Sequence, residues 1–143
     1  MPEEEYLIPF GQARIAREGT DATVVAIGGM VPKALAACEA LAEEGRSIEL
    51  IDPRTLVPLD LDTILASVHK TGRLLVVDED YSPCGVAAEI GMRVMEHGFD
   101  DLDAPVARLT MPDIPSPHNP KLLDHVVPSV DRIRAKIAEL VEF

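Results

Sequence analysis

The sequence has no tryptophan, two tyrosines and three phenylalanines, so aromatic residues make up 3% of its 143 residues. Such a chain offers few flat side chains on which nucleic-acid bases could stack. Basic residues are also scarce, because 13 Lys and Arg stand against 25 Asp and Glu, for a net charge of −12. A surface this acidic repels nucleic acids and anionic membranes. The composition argues against both as partners and favours a basic protein instead.

Long apolar runs and paired cysteines are lacking too. No apolar stretch approaches the roughly 18 residues that span a membrane, and Met1 to Glu5 resembles neither a signal peptide nor a basic targeting arm. Cys38 and Cys84 show no C-x-x-C spacing, which favours a reduced, cytoplasmic protein over a disulfide framework. The length suits one hydrophobic core. We interpret residues 1–10 as a lead-in or linker remnant and residues 11–143 as one domain.

The sequence does contain an alternation of short apolar segments with amphipathic ones. Apolar residues recur at helical spacing after Gly29, Asp60, Gly85 and Ser129, which predicts a helix at each place. Between them the pattern predicts strands at 13–17, 23–27, 47–51, 73–77 and 105–109. Strands that alternate with helices form right-handed crossovers and a mainly parallel sheet. The pattern therefore predicts a compact three-layer α/β domain.

Acidic residues follow three of the predicted strands. Asp52, Asp78 and Asp113 stand where ligands bind in such sheets, at the carboxyl ends of the strands. Clustered carboxylates would suit a divalent cation. However, Asp also favours strand ends and turns for local hydrogen bonding, and the spacing matches no known metal-binding loop. We favour the turn interpretation, and a cation site remains the alternative.

The segment VVDEDYSPCG, residues 76 to 85, places a thiol beside three acidic residues. Cys84 near a helix N-terminus could serve as a nucleophile. The neighbouring carboxylates disfavour its thiolate form, and no histidine is adjacent in sequence to act as a base. We therefore interpret Cys84 as a packing residue, and Asp78 to Gly85 as a polar loop between a strand and a helix.

Two further features have structural interpretations. Gly28 and Gly29 could cradle an anion before a helix, but no phosphate-binding motif surrounds them, so a tight turn is favoured. The histidines are scattered without the spacing of metal ligands or of a catalytic triad, and surface positions are expected for all four: His69, His97, His118 and His125.

Four segments together resemble one family: ARIAREGTDATVVAIG, ELIDPRTLVPLD, KTGRLLVVDE and LDAPVARLTMPDIPSP. They are similar to the C-terminal domain of the beta subunit of thiamine-diphosphate-dependent 2-oxo acid dehydrogenases, which act on pyruvate, branched-chain 2-oxo acids or acetoin. The resemblance covers essentially the whole chain. It fits these dehydrogenases better than transketolase or deoxyxylulose-phosphate synthase. It implies a transketolase C-terminal-type α/β/α sandwich, whose five-stranded sheet is mostly parallel with one antiparallel edge strand.

The resemblance also implies a non-catalytic assembly role. In the family, other domains hold thiamine diphosphate and Mg²⁺, and the pyrimidine-binding domain expected before Tyr6 is absent from this sequence. The chain alone is therefore expected to bind no cofactor and to be inactive. Its implied partners are a second beta subunit, the alpha subunit and the dihydrolipoyl acyltransferase.

The resemblance assigns partners to two sets of residues. The acyltransferase's basic peripheral-subunit-binding module is expected at Asp101, Asp103 and the terminal carboxylate of Phe143, although a solvated acidic turn is an equal alternative. The subunit interface is expected at Asp78, Glu79, Tyr81, Pro83 and His118. His118 stands where the family usually has Tyr or Phe. A free-standing regulatory or cation-binding α/β module remains the alternative function.

Overall fold

The computed structural model describes residues 6–143, in which five strands form one sheet. These strands are β1 (Arg14–Arg17), β2 (Ala22–Ala26), β3 (Ile48–Asp52), β4 (Leu74–Tyr81) and β5 (Ala107–Met111). Their spatial order is β1-β3-β2-β4-β5. The edge strand β1 runs antiparallel to β3, and all other neighbours are parallel. The predicted sheet, with its antiparallel edge strand, is confirmed.

Helices cover both faces of the sheet. They are α1 (Met30–Glu43), α2 (Leu61–Thr71), α3 (Val86–Gly98), α4 (Pro120–Val126) and α5 (Val130–Val141), with a 3₁₀ turn at Phe99–Asp101. The apolar faces of α1 and α5 pack on one side of the sheet, and those of α2 and α3 pack on the other. This arrangement confirms the three-layer architecture. No helix within residues 6–143 is both long enough and apolar enough to cross a membrane.

Strand β2 shows why the central segments are apolar throughout. Its side chains alternate between the two faces, so Val24 packs in the cluster with α1 and α5 while Val25 packs in the cluster with α2 and α3. Cys38 lies fully buried on α1, as predicted, and burial raises the pKa of its thiol to about 11. Both faces of β2 are therefore covered, and none of its five side chains is exposed to solvent.

The ends of α2 position the surface described below. Asp60 caps its N-terminus, since the carboxylate accepts hydrogen bonds from the backbone N–H of Thr63 at 3.2 Å and from that of Ala13 at 2.8 Å. Gly72 ends the helix in the left-handed conformation at φ +68°, and its N–H donates to the carbonyl of Val68. These caps fix where the chain leaves α2 for β4.

Two elements differ from the sequence-based expectation. Strand β4 continues through residues 78–81, because a second pairing of Tyr81 with Met111 follows an irregularity after Val77. Helix α4, which follows a Pro-rich segment, was not among the four helices predicted from the sequence. Its Asn119 side chain accepts from Lys121 N at 3.0 Å, and Pro120 occupies the first turn, where its missing N–H costs nothing.

Candidate functional site

The segment that carries Asp103 is held against the end of α2. The backbone N–H of Asp103 donates to the carbonyl of Gly72 at 2.7 Å. A Cβ at Gly72 would collide with the carboxylate of Asp103, so the two residues meet at a distance that only glycine permits. Asp103 is itself exposed. The fold therefore presents this carboxylate to solvent in a fixed place.

Asp103 and Phe143 lie on one surface, although 40 residues separate them in sequence. A cavity of about 330 Å³ is lined by Met95, Phe99 and Asp103 and ends at Pro105. A second cavity of about 220 Å³ begins at Pro105 and reaches Phe143. We call Met95, Phe99, Asp103, Pro105 and Phe143 the docking surface. Asp103 and Phe143 therefore line two adjacent cavities that share Pro105, and their role in partner binding stays a prediction.

The docking surface combines exposed apolar groups with acidic ones. Phe99 is 62% exposed and Phe143 is 72% exposed, and Phe10 is similarly exposed elsewhere in the chain. The carboxylate of Asp103 lines the first cavity, and that of Glu139 lines the second, where it pairs with Lys136 at 2.9 Å. An exposed apolar patch with a charged rim is typical of a protein-binding surface. Sequence reasoning missed Met95 and Phe99, which lie four residues apart, one on the last turn of α3 and the other at the start of the 3₁₀ turn that follows.

Asp101, the third predicted partner-binding residue, already has a partner within the chain. Its Oδ1 lies 2.7 Å from Nδ1 of His69 at the C-terminal end of α2. The side chain of His69 is largely exposed, as expected for a surface histidine. The carboxylate of Asp101 is half-buried and is less available to another molecule than that of Asp103.

The residues predicted for the subunit interface do not all lie in the expected polar loop, because Asp78, Glu79 and Tyr81 continue β4. Asp78 is buried at 4% exposure, and this burial raises the pKa of its carboxyl group. Glu79 is exposed, and its carboxylate accepts a hydrogen bond from Gly29 N at 3.3 Å, at the N-terminus of α1. The anion niche considered for Gly28 and Gly29 is thus adjacent to a carboxylate of the chain itself.

The remaining interface residues lie at the carboxyl edge of the sheet. Tyr81 is half-buried and packs against the cluster of α1 and α5, while Pro83 and His118 are exposed. Cys84 was expected to pack in the interior, and this is wrong, because it is exposed. It occupies a tight turn with φ +57°, before Gly85, where a side chain would collide with the carbonyl of Tyr81.

The carboxylates considered for a cation site are not brought together. Asp52 is half-buried and its Oδ1 accepts from Arg54 N at 3.0 Å, Asp78 is buried, and Asp113 is exposed on the loop after β5. Within residues 6–143, no group of three or more His, Cys, Asp or Glu side chains is placed to hold a metal ion. Asp52 and Asp78 therefore act as separate local hydrogen-bonding groups.

The family model of the transketolase C-terminal domain matches residues 11–133. The chain belongs to the transketolase C-terminal domain family. One relative is the acetoin:2,6-dichlorophenolindophenol oxidoreductase subunit beta of Bacillus subtilis (strain 168), with 45% identity over 99% of this chain and 41% of the relative. Another is the 2-oxoisovalerate dehydrogenase subunit beta of the same organism, with 39% identity over 100% of this chain and 44% of the relative.

A third relative is the mitochondrial pyruvate dehydrogenase E1 component subunit beta of Dictyostelium discoideum, 44% identical over 81% of this chain and 33% of that protein. The chain thus spans about two fifths of the length of the first relatives it matches. Among solved structures, a split gene transketolase described as an inactive beta4 tetramer superposes with a TM-score of 0.83, at 23% identity. That superposition covers 96% of this chain and 44% of the other, and it confirms the fold.

Proposed function

We propose that this chain is the non-catalytic assembly domain of the beta subunit of a 2-oxo acid dehydrogenase. Three beta subunits of such enzymes align with it at 39–45% identity. The parent enzyme would oxidatively decarboxylate a 2-oxo acid in the cytoplasm, in line with two free cysteines. Within that enzyme the domain provides contacts to other subunits.

The docking surface is the site at which the domain binds the dihydrolipoyl acyltransferase. The observation that carries this proposal is that Asp103 and Phe143 line adjacent cavities that share Pro105. The carboxylate of Asp103 would attract the basic peripheral-subunit-binding module, and the net charge of −12 would steer its approach. The rings of Phe99 and Phe143 would supply buried apolar area once the module is seated, as aromatic side chains do at the centres of interfaces.

Asp103 contributes more than Asp101 to this binding. Asp101 lies within hydrogen-bonding distance of His69, so a basic partner would have to compete for its carboxylate. Asp103 has its backbone fixed by Gly72, while its side chain faces solvent.

Contacts between dehydrogenase subunits are assigned to the carboxyl edge of the sheet. The side chains available there are those of Glu79, Tyr81, Pro83 and His118, since Asp78 is covered by this chain. Tyr81 and Pro83 offer apolar area at the end of β4. We propose that this edge contacts a second beta subunit and that the domain also contributes to association with the alpha subunit.

Thiamine diphosphate and Mg²⁺ belong to other parts of the parent enzyme. The carboxylates at the carboxyl edge do not fit a Mg²⁺ site, because Asp52 and Asp78 each accept a hydrogen bond from the backbone two residues on. Calorimetric titration of the chain with thiamine diphosphate and Mg²⁺ is expected to show no saturable heat. A saturable isotherm would contradict this assignment.

Co-purification tests the assembly role directly. The tagged chain is mixed with the alpha subunit and, separately, with the acyltransferase, and the complexes are examined by size-exclusion chromatography with light scattering. We expect self-association and a complex with the acyltransferase. A monomer that binds neither protein would overturn the proposal.

A further inference from the structure

A basic cavity opens at the carboxyl end of β5, at the opposite end of that strand from the docking surface. It has a volume of about 470 Å³ and lies between the ends of β4 and β5, the last turn of α4 and the first turn of α5. Its polar lining consists of Ser82, Arg108, Thr110, His125 and Arg132. In α/β sheets, the carboxyl ends of parallel strands are where small ligands bind.

The charge of this cavity contrasts with that of the molecule. Acidic residues outnumber Lys and Arg by 25 to 13 in the chain, yet no Asp or Glu is among the residues that line it. Four other surface cavities each include at least one carboxylate: that of Asp52, Glu89, Asp103 or Glu139. Asp124 and Asp131 are adjacent in sequence to His125 and Arg132, but neither lines the cavity.

Both arginines are anchored in place by the backbone. Nη1 of Arg108 donates to the carbonyl of Ser82 at 3.1 Å, and Nη1 of Arg132 donates to the carbonyl of Val126 at 3.3 Å. Neither guanidinium lies within 4.0 Å of a carboxylate oxygen of residues 6–143. A guanidinium has five N–H donors in a rigid fork, so each retains donors for an oxyanion after its anchoring bond is formed.

Arg132 also stands in a position that helix electrostatics disfavour. It belongs to the first turn of α5, where the N–H groups point outward and the helix end is partially positive. A cation there adds to the positive potential of the cavity. Arg108 and Arg132 therefore both favour an anion in this space, whereas the N-terminus of α5 is capped by Ser129, whose Oγ accepts from Arg132 N at 3.3 Å.

We propose that this cavity binds the phosphate group of a small phosphorylated molecule. The volume lies within the roughly 300–1,000 Å³ that small-molecule sites occupy. Two guanidinium groups match the several oxygens of a phosphate dianion better than the two of a single carboxylate. Ser82 lies on the same lining and its hydroxyl group can donate a neutral hydrogen bond, whereas the hydroxyl group of Thr110 donates to the carbonyl of Met111 at 3.3 Å. This site is separate from the docking surface, but it adjoins the edge proposed for subunit contacts, since Ser82 lies between Tyr81 and Pro83.

Nuclear magnetic resonance titration of the ¹⁵N-labelled 143-residue chain tests the proposal. The probes are inorganic phosphate, glycerol 2-phosphate and acetate, each added at constant ionic strength maintained with sodium chloride. We expect saturable amide shifts at Ser82, Thr110 and Arg132 with phosphate and with its ester. Acetate should bind about tenfold more weakly, since it lacks a second charge and a third oxygen.

Matched variants assign the binding to the two arginines. Arg108→Gln and Arg132→Gln should each weaken phosphate binding about tenfold, the effect of losing one charge-assisted contact. Arg132→Lys should retain part of the affinity. Arg134→Gln is the control, because Arg134 lies on the same helix but pairs with Glu44 outside the cavity.

Three results would overturn the proposal. The first is an absence of saturable shifts at the cavity amides with phosphate. The second is an affinity that Arg108→Gln and Arg132→Gln leave unchanged while both variants keep the native spectrum. The third is binding of inorganic phosphate without binding of its ester, which would exclude a phosphorylated molecule as the ligand.

Discussion

Lys70 forms an ion pair with the buried carboxylate of Glu49, whose side chain is 1% exposed beneath α2. The same carboxylate accepts from Gly19 N at 3.2 Å. Burial opposes the charge on Glu49, but the hydrogen bonds from Lys70, Ser67 and Gly19 outweigh it and lower the pKa of this carboxyl group. The hydrogen bond to Glu49 in turn raises the pKa of Lys70. The buried negative charge of Glu49 is therefore balanced by one cation, the partly exposed Lys70.

Replacing that lysine should destabilise the fold. Lys70→Met leaves the Glu49 carboxylate buried without its cation, at a cost of about 2 kcal/mol in the free energy of unfolding. Urea denaturation at neutral pH measures this. Lys136→Met is the control, because Lys136 pairs with Glu139 on an exposed helix surface and should cost less than about 0.5 kcal/mol. Equal costs for the two variants would refute the assignment.

The ion pair also predicts a pH dependence of stability. Since the folded-state pKa of Glu49 is lowered, its contribution is complete above the ordinary value of 4.5 and is lost as the pH falls through the folded value. The raised pKa of Lys70 implies that its contribution is complete below 10.5 and is lost above that value. The difference in unfolding free energy between the native chain and Lys70→Met should therefore shrink below pH 4.5. A difference that stayed constant down to the acid transition would contradict this.

A side chain introduced at Gly72 should destabilise the fold more than one introduced at Gly45. Both have positive φ, at +68° and +82°, so alanine costs about 1 kcal/mol of backbone strain at either position. At Gly72 the added Cβ would also collide with the Asp103 carboxylate, whereas at Gly45 it would meet open space. Thermal denaturation should show Gly72→Ala to be destabilised by at least about 1 kcal/mol more than Gly45→Ala. Indistinguishable melting curves would show that Asp103 is not held against Gly72.

The N-cap residue of α2, Asp60, should contribute more to the free energy of unfolding than Asp62, an acidic residue in the first turn of the same helix. Asp60→Ala removes the acceptor of the N–H groups of Thr63 and Ala13 and should cost about 1–2 kcal/mol. Asp62→Ala, in the first turn but without a capping bond, should cost less than about 0.5 kcal/mol. Urea denaturation of both variants measures the difference. A cost for Asp62→Ala as large as that for Asp60→Ala would exclude the capping role.

The two thiols should differ sharply in reactivity. Cys84 is exposed, while Cys38 is fully buried and its thiol pKa is raised to about 11. Ellman's reagent at pH 8 should therefore modify one thiol per folded chain, and Cys84→Ser should abolish the reaction. Modification of both thiols in the folded state, at comparable rates, would contradict the burial of Cys38.

The strands and helices could be predicted wherever an apolar pattern marked them. Every predicted strand is present, and all but one of the predicted strand ends lie within two residues of the observed ends. The exception is the end of β4, because residues 78–80 are polar and are kept in the sheet by pairing with β5, which no local pattern reveals. Helix α4 was missed because prolines surround it, although Asn119 followed by Pro120 is a recognisable helix start.

The candidate sites were harder to predict, since they depend on which distant segments meet. The family resemblance predicted Asp103 and Phe143 as partner-binding residues, but the position of Phe99 beside Asp103 and the pairing of Asp101 with His69 required coordinates. The same is true of the basic cavity, where Arg108 and Arg132 come from different elements. Cys84 was misplaced because its neighbours suggested packing, while its exposure follows from the tight turn before Gly85.

The central claim is that the docking surface binds the basic peripheral-subunit-binding module of a dihydrolipoyl acyltransferase. Isothermal titration calorimetry of that module against Asp103→Lys and against the chain lacking Phe143 tests it most directly. Asp62→Lys is the matched control, since it makes the same charge change at the other end of α2. We expect each docking-surface variant to weaken binding at least about tenfold, and the control to stay within about twofold. Unchanged affinity in both docking-surface variants would contradict the claim.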